Sequence, residues 1–247
     1  MNIFDNLEKY SSNTAFITNS SESISYSFLL KEAGIIGKHL KKRCLVFIVC
    51  NNSLESIIGY LGIIRFKAVP ILINDTVSAI FFETLLKFYK PEYIYIPNKI
   101  IKLDSNYKAV FFNRSYTLYK TNFNVDYKLH DDLALMLSTS GSTGSPKLVR
   151  QSYKNIYSNT KSICQYLDIT SKDRPITTMP ISYSYGLSII NSHLVNGASI
   201  ILTDDTLMER SFWEVFNTNN ATTFGGVPYV YEMLKKLHFK KMSLPSL

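Results

Sequence analysis

Residues 139–147 read TSGSTGSPK and lie between the apolar run LALML and the extended-looking LVRQS. After a strand, a loop of this composition exposes backbone N–H groups that no ladder satisfies. Gly141 and Gly144 can take positive φ, which lets those donors converge on an anion without a Cβ in the way. The hydroxyls of Thr139, Ser140, Ser142 and Thr143 add donors, Lys147 adds a full charge, and Pro146 fixes the exit. Such a constellation suits a polyphosphate. Its spacing departs from the common nucleotide loop, which has four residues between its glycines, lysine directly after the second and a helix next. Here two residues separate the glycines, two more precede the lysine, and a strand-like segment follows. The residues alone are equally compatible with a hairpin tip that binds nothing.

A loop of this kind needs a rigid frame, and the chain supplies alternating strand-like and helix-like segments. SYSFLLKEAGIIGKHLKK places Leu30, Ala33, Ile36 and Leu40 at helical spacing behind a Ser27 cap, and CLVFIVC follows as a buried strand. Asn52 or Ser53 can cap LESIIGYLGIIRF. AVPILI is a strand, SAIFFETLLKFYK a helix stopped by Pro91, and YIYI and KAVFF are strands. Repeated strand–helix–strand order with apolar strands indicates an α/β fold with a mostly parallel sheet covered by helices. Residues 113–131 are polar and irregular, so the expected division is one α/β unit over 1–130 and a second, incomplete one over 131–247. In the second unit LALMLS leads into the loop and Ser152 caps a helix carrying Ile156, Thr160, Ile163 and Leu167. GLSIINSHLV, ASIILT, SFWEVFNT and ATTFGGV then alternate helix and strand, and Pro228 opens YVYEMLKKL where helices accept proline.

Composition bounds the setting. The chain has 247 residues, 46% of them hydrophobic, enough for one large core or two smaller ones. LVFIVC and AVPILI are far shorter than the roughly 20 residues needed to span a bilayer, and the N-terminus MNIFDNLEKYSS lacks a signal-peptide core. Cys44, Cys50 and Cys164 are odd in number and without metal-ligand spacing, which fits reduced thiols in a cytoplasm. The net charge of +8 is spread along the chain rather than gathered in a stripe, so a solvated basic surface is expected and not a nucleic-acid partner.

TSGSTGSPK resembles the signature of the adenylate-forming (AMP-binding) superfamily, which includes acyl-CoA synthetases, luciferases and the adenylation domains of peptide synthetases. Other segments agree in order: NNSLES with the family's Asn-Ser-x-Glu segment, HDDLALML with its acidic lead into the loop, MPISYSYGLS with its substrate-site motif, and FGGVPYVYEML with its Gly-Val-Pro wall. The likeness runs from near the start of the chain to Leu247. Departures are Leu148 where the family has glycine, Tyr153 where it has histidine, and Tyr183 in place of a frequent histidine, although Asn155 is kept. Segments resembling Tyr-Gly-x-Thr-Glu and Thr-Gly-Asp, and a C-terminal domain with its catalytic lysine, are not found. The resemblance therefore implies two stacked sheet units forming the N-terminal part of the family fold, and a chain inactive by itself whose open edges favour self-association.

What the resemblance implies for chemistry is ATP-dependent adenylation of a carboxylic acid, then transfer of the acyl group to CoA or a carrier-protein thiol. The loop residues Thr139, Ser140, Gly141, Ser142, Thr143, Gly144 and Lys147 would hold ATP, Thr139 would meet Mg2+, and Lys147 would be a mobile cation near the leaving pyrophosphate. Tyr183 would stand beside the acid's carboxylate, or else be a core tyrosine with a backbone partner. Gly186 would leave room there. Gly225, Gly226, Val227 and Pro228 would bring bare backbone to the acyl chain, or simply turn a strand into a helix. His193 is expected on a helix face and Tyr153 in packing. Amino-acid-activating relatives place an aspartate within 183–187 to pair the substrate ammonium, whereas YSYGL has none, which favours an uncharged acyl or aryl acid. An inactive binding module that keeps the fold, or an amino-acid adenylation domain, is the alternative.

Overall fold

The computed structural model describes residues 2–98, 103–138 and 147–247. In chain order its strands are β1 (Thr14–Ile17), β2 (Ser23–Ser25), β3 (Leu45–Cys50), β4 (Val69–Asn74), β5 (Tyr93–Pro97), β6 (Lys108–Asn113), β7 (Tyr116–Lys120), β8 (Leu133–Ser138), β9 (Leu148–Ser152), β10 (Pro175–Ile176), β11 (Ile200–Ile201) and β12 (Thr223–Phe224). Its α-helices are α1 (Tyr26–Lys38), α2 (Leu54–Arg65), α3 (Ala79–Tyr89), α4 (Tyr153–Tyr166), α5 (Ser184–Leu194), α6 (Arg210–Thr218) and α7 (Pro228–Lys236). Among the described residues, no helix is long and apolar enough to cross a membrane.

Two sheets result, ordered β6-β7-β5-β3-β4-β8-β9 and β12-β10-β11-β1-β2. In the first, β5, β3, β4 and β8 run parallel, and β7 and β9 flank them antiparallel. In the second, β12, β10, β11 and β1 are parallel and β2 returns antiparallel. Pro70 is tolerated inside β4 for a local reason. Val69 donates its N–H to Cys44 O, just ahead of β3, at 2.8 Å, so alternation turns residue 70 toward β8, whose pairing starts only at Ile71. Sheet membership crosses residue 130 in both directions, since β8 and β9 complete the first sheet and β1 and β2 belong to the second.

Alternation of side chains along the strands sorts them into layers. Val46, Ile48 and Cys50 of β3 pack with α1, α2 and α5 in a central layer that also receives Ile200 of β11. Leu45, Phe47 and Val49 face the other way, onto Phe82, Leu85 and Leu86 of α3. Ile201 of β11 turns outward onto Phe212 and Phe216 of α6 and Val230 and Leu234 of α7. The order is α3, first sheet, central helices, second sheet, then α6 and α7.

Helix starts follow the hydroxyl residues. Ser53 accepts from the Ser56 N–H at 3.2 Å, and Ser152 and Asn155 form a reciprocal capping box. α1 begins earlier than expected: Ser25, not Ser27, accepts from the Phe28 N–H at 3.2 Å. The expected irregular seam also contains β7, because Tyr116 and Leu118 alternate into the central core while Thr117 and Tyr119 face away. Tyr116 is held there by its hydroxyl, 2.7 Å from Ser56 Oγ and 3.0 Å from Asn51 Oδ1.

The central layer is thin where α1 and α2 cross. A Cβ on Gly62 would lie 2.5 Å from the Ala33 carbonyl oxygen of α1, a backbone atom that no rotamer change can move. Gly62→Ala gains about 1 kcal/mol of helix propensity but forces the two helices apart, and overpacking of this kind costs about 1–3 kcal/mol. We expect a net loss of up to about 2 kcal/mol, read as a lower urea midpoint at unchanged slope. A higher midpoint would contradict the close crossing.

Candidate functional site

In parallel sheets, ligands gather beyond the carboxyl ends of the strands, where loops and helix N-termini converge. Here those ends come from two sheets at once. β3 runs out into Asn51 and Asn52, β4 into Asp75, β10 into Thr177 and Thr178, and β11 into Leu202, Thr203 and Asp204. Two hydrogen bonds tie the sheets together at this edge. Asn74 Nδ2 donates to Ser182 Oγ at 3.3 Å, and the Asn52 N–H donates to Asp204 Oδ1 at 3.3 Å.

The glycine-rich segment is anchored at the same edge. β8 pairs with β4 through Leu137 opposite Leu72, and Ser138 lies opposite Leu148 of β9. Ser138 and Leu148, on either side of this segment, are thus paired neighbours, and a strand rather than a helix follows Lys147, as expected from the sequence. Thr139, Ser140, Gly141, Ser142, Thr143 and Gly144 lie outside the described residues. Lys147 is exposed, immediately ahead of β9.

The 177–188 stretch makes a tight turn into α5. Tyr183 is the residue before the helix; its N–H donates to Pro180 O at 3.0 Å and its side chain is 39% exposed, so it is not a core tyrosine. Gly186 is required by a close approach: a Cβ would sit 2.3 Å from Pro180 O and 2.7 Å from Met179 O. Gly225 and Gly226 lie against the same helix. A Cβ on Gly225 would meet Ile189 Cδ1 at 2.6 Å, and the Gly226 N–H donates to the Tyr185 hydroxyl at 3.3 Å. Thr178 Oγ1 donates to Gly225 O at 2.6 Å. Val227 precedes α7 and Pro228 opens it. Tyr185 thus joins the two motifs; it stands inside MPISYSYGLS, but nothing in its type or spacing set it apart from Tyr183.

Two cavities flank this turn. One, about 500 Å³, lies among β8, β9, α4 and α5, with Leu135, Leu137, Gln151, Asn155, Tyr185 and Asn191 in its wall; no charged side chain lines it among the described residues. The other, about 760 Å³, spans the carboxyl ends of both sheets on the side of Met179 and Pro180. Among the described residues no group of three or more His, Cys, Asp or Glu is arranged to hold a metal ion. His193 lies on α5, on a buried face of that helix; burial lowers its pKa, and Nδ1 is 2.8 Å from Ile189 O. Tyr153 packs half-buried on the central core. Burial pushes the Cys44 thiol up to about 12 and raises Cys50 as well, so both are inert as nucleophiles.

A family model described as AMP-binding enzyme matches residues 3–247. The oxalate–CoA ligase of Saccharomyces cerevisiae is 23% identical over 224 residues, covering 75% of this chain and 41% of the ligase. The inhibitor-bound N-terminal domain of FACL13 from Mycobacterium tuberculosis superimposes with a TM-score of 0.79 at 16% identity, covering 100% of this chain and 68% of that one. ATP-bound MatB from Rhodopseudomonas palustris gives 0.73 at 21% identity, with 94% and 49% covered. At such identities the structural likeness speaks for the fold. The chain spans less than half the length of the curated relatives it matches.

At the rim of the larger cavity, burial and the nearby Asp204 carboxylate raise the pKa of Asp75 above its ordinary 3.8, against weaker stabilisation by hydrogen bonds that include Asn51. The fold therefore disfavours the charged form. The resulting destabilisation is absent below 3.8, grows as pH rises through the folded-state value, and is full at neutral pH. Asp75→Asn is expected to raise the urea midpoint at neutral pH, with the gain shrinking as pH is lowered toward 3.8. A pH-independent difference between the two proteins would exclude this cause.

Proposed function

Because the chain belongs to the AMP-binding enzyme family, we propose that it is the N-terminal part of an AMP-forming acid–thiol ligase acting on an uncharged acyl or aryl carboxylic acid. The carboxylate of the acid attacks the α-phosphorus of ATP, pyrophosphate leaves, and an acyl-adenylate forms. A thiol, of CoA or of a carrier protein, then attacks the acyl carbon and AMP departs. No general base is needed in the first step, since a carboxylic acid is already ionised near neutral pH. What the site must supply is relief of repulsion between two anions and stabilisation of charge on the leaving pyrophosphate.

The observation that carries this reading is the pairing of Ser138 with Leu148, the strand residues flanking the glycine-rich motif, at the carboxyl edge of the parallel sheet, where Asn74 of the neighbouring strand bonds Ser182 of the turn that bears Tyr183. In this proposal Thr139, Ser140, Gly141, Ser142, Thr143 and Gly144 offer amides and hydroxyls to the phosphates. Thr139 would hold the Mg2+ that accompanies ATP, which would offset phosphate charge, and Lys147 would neutralise the leaving group. The acid lies toward the cavity of about 500 Å³, with Tyr183 and Gly186 on the turn beside its carboxylate. Gly225 and Gly226 bring bare backbone up behind this site through their contacts with Tyr185 and Ile189, and Val227 and Pro228 carry that backbone into α7. The lack of any charged group in that cavity's described lining supports a substrate without an ammonium, because a buried cation needs a paired anion. A cytoplasmic setting fits the free cysteines, two of them buried.

The test is acid-dependent exchange of pyrophosphate into ATP by a protein carrying this chain together with adenine- and ribose-binding segments. Lys147→Ala and Thr139→Ala should each slow exchange roughly 10² to 10³-fold. Exchange unaffected by both substitutions would remove the phosphate role of the loop.

A further inference from the structure

We propose that the cavity of about 760 Å³ at the carboxyl ends of the two sheets is a binding site for an organic ammonium ion with an apolar body. Its deep wall is hydrocarbon and aromatic: Leu207, Phe212, Val230 and Met233, all buried. Its mouth carries three carboxylates, Asp75 from the end of β4 and Asp204 and Asp205 from the end of β11. No lysine, arginine or histidine lines it among the described residues, although the chain has 27 Lys and Arg against 19 Asp and Glu. The local charge is thus the reverse of the global one.

None of the three carboxylates enters an ion pair among the described residues. Two of them are held by neutral donors instead. The Asn52 N–H reaches Asp204 Oδ1 across the sheet junction, and Asp205 is placed by its backbone, whose N–H donates to Thr203 Oγ1 at 3.0 Å. Asp75 takes a side-chain hydrogen bond from Asn51, and the pressure on its charged form comes from burial and from Asp204. Fixed, unpaired carboxylates above an apolar wall select by elimination. An anion would be repelled. A neutral apolar ligand would cover the wall and leave the carboxylate repulsion in place. A bare inorganic cation would meet the oxygens and leave the apolar groups that open into the cavity, Met208 and Tyr229 among them, facing water. An ammonium head at the rim with a hydrocarbon body below satisfies both halves. The cavity is separated from the smaller, uncharged one by the Met179–Pro180 turn, so the inference does not depend on acid activation.

The test uses the 247-residue chain without nucleotide, titrated at neutral pH by calorimetry with 2-phenylethylammonium and with hexylammonium chloride. Saturable binding of at least one is expected, with 2-phenylethanol at least about tenfold weaker and phenylacetate not binding. Asp75→Asn and Asp204→Asn keep an amide oxygen for Asn51 and Asn52. Each should weaken ammonium binding about tenfold or more while leaving the weak binding of the alcohol unchanged, which also reports that the variants fold. The proposal is overturned if neither ammonium saturates, if the alcohol binds as well as the ammonium, if both variants bind like the parent, or if MgCl2 alone competes the ammonium away at stoichiometric concentration.

Discussion

Two sheets share a single apolar layer of helices, and the carboxyl edge can serve as a site only because that layer fixes the sheets against each other. α1 and α2 approach until Gly62 touches the Ala33 backbone, and α5 brings Leu187 and Ile190 into the same core. Burial supplies the bulk of the cohesion, at about 25 cal/mol per Å² of apolar surface. It does not by itself set the alignment of strand ends. That falls to directional bonds at the edge, Asn74 to Ser182 and Asn52 to Asp204, which tie the first sheet to loops of the second.

The same layer explains why so many site residues are small or hydroxylic. The turn at Met179 and Pro180 leaves no room for a side chain at Gly186, and the Gly225–Gly226 backbone is pressed onto Tyr185 and Ile189. Close backbone packing makes these positions stiff, and stiffness is what a reaction governed by positioning of anions demands. Tyr183, at the mouth of this turn and open to solvent, is the contrasting element: its surroundings hold the backbone and leave the ring free of packing in the core.

Much of this frame was legible in the residues because the signals are local. Continuous apolar strands such as LVFIVC, serine caps at positions 53 and 152, and Pro228 at a helix start each report on their own neighbourhood. The grouping of strands into sheets was not local and was not legible: β1 joins β11, and β8 returns to β4, by contacts that no short window contains. The strand Tyr116–Lys120 was hidden by polar flanks, and the start of α1 shifted because Ser25 and Ser27 are equally good hydroxyl caps in sequence. The motifs at 139–147 and 179–188 were visible by residue type, whereas the meeting of Asp75 with Asp204 and the role of Tyr185 as a brace exist only once two sheets are set edge to edge.

The pairing of Phe16 with Ile200 and Ile17 with Ile201 carries a consequence for biosynthesis. β1 leaves the ribosome first, yet its parallel partner is made only after the whole first sheet has been translated. At about 5–20 residues per second, the β1–β2 hairpin waits on the order of ten seconds or more before it can be incorporated. During that interval Phe16 and Ile24 lack their final cover, and the nascent chain is a natural client for chaperones.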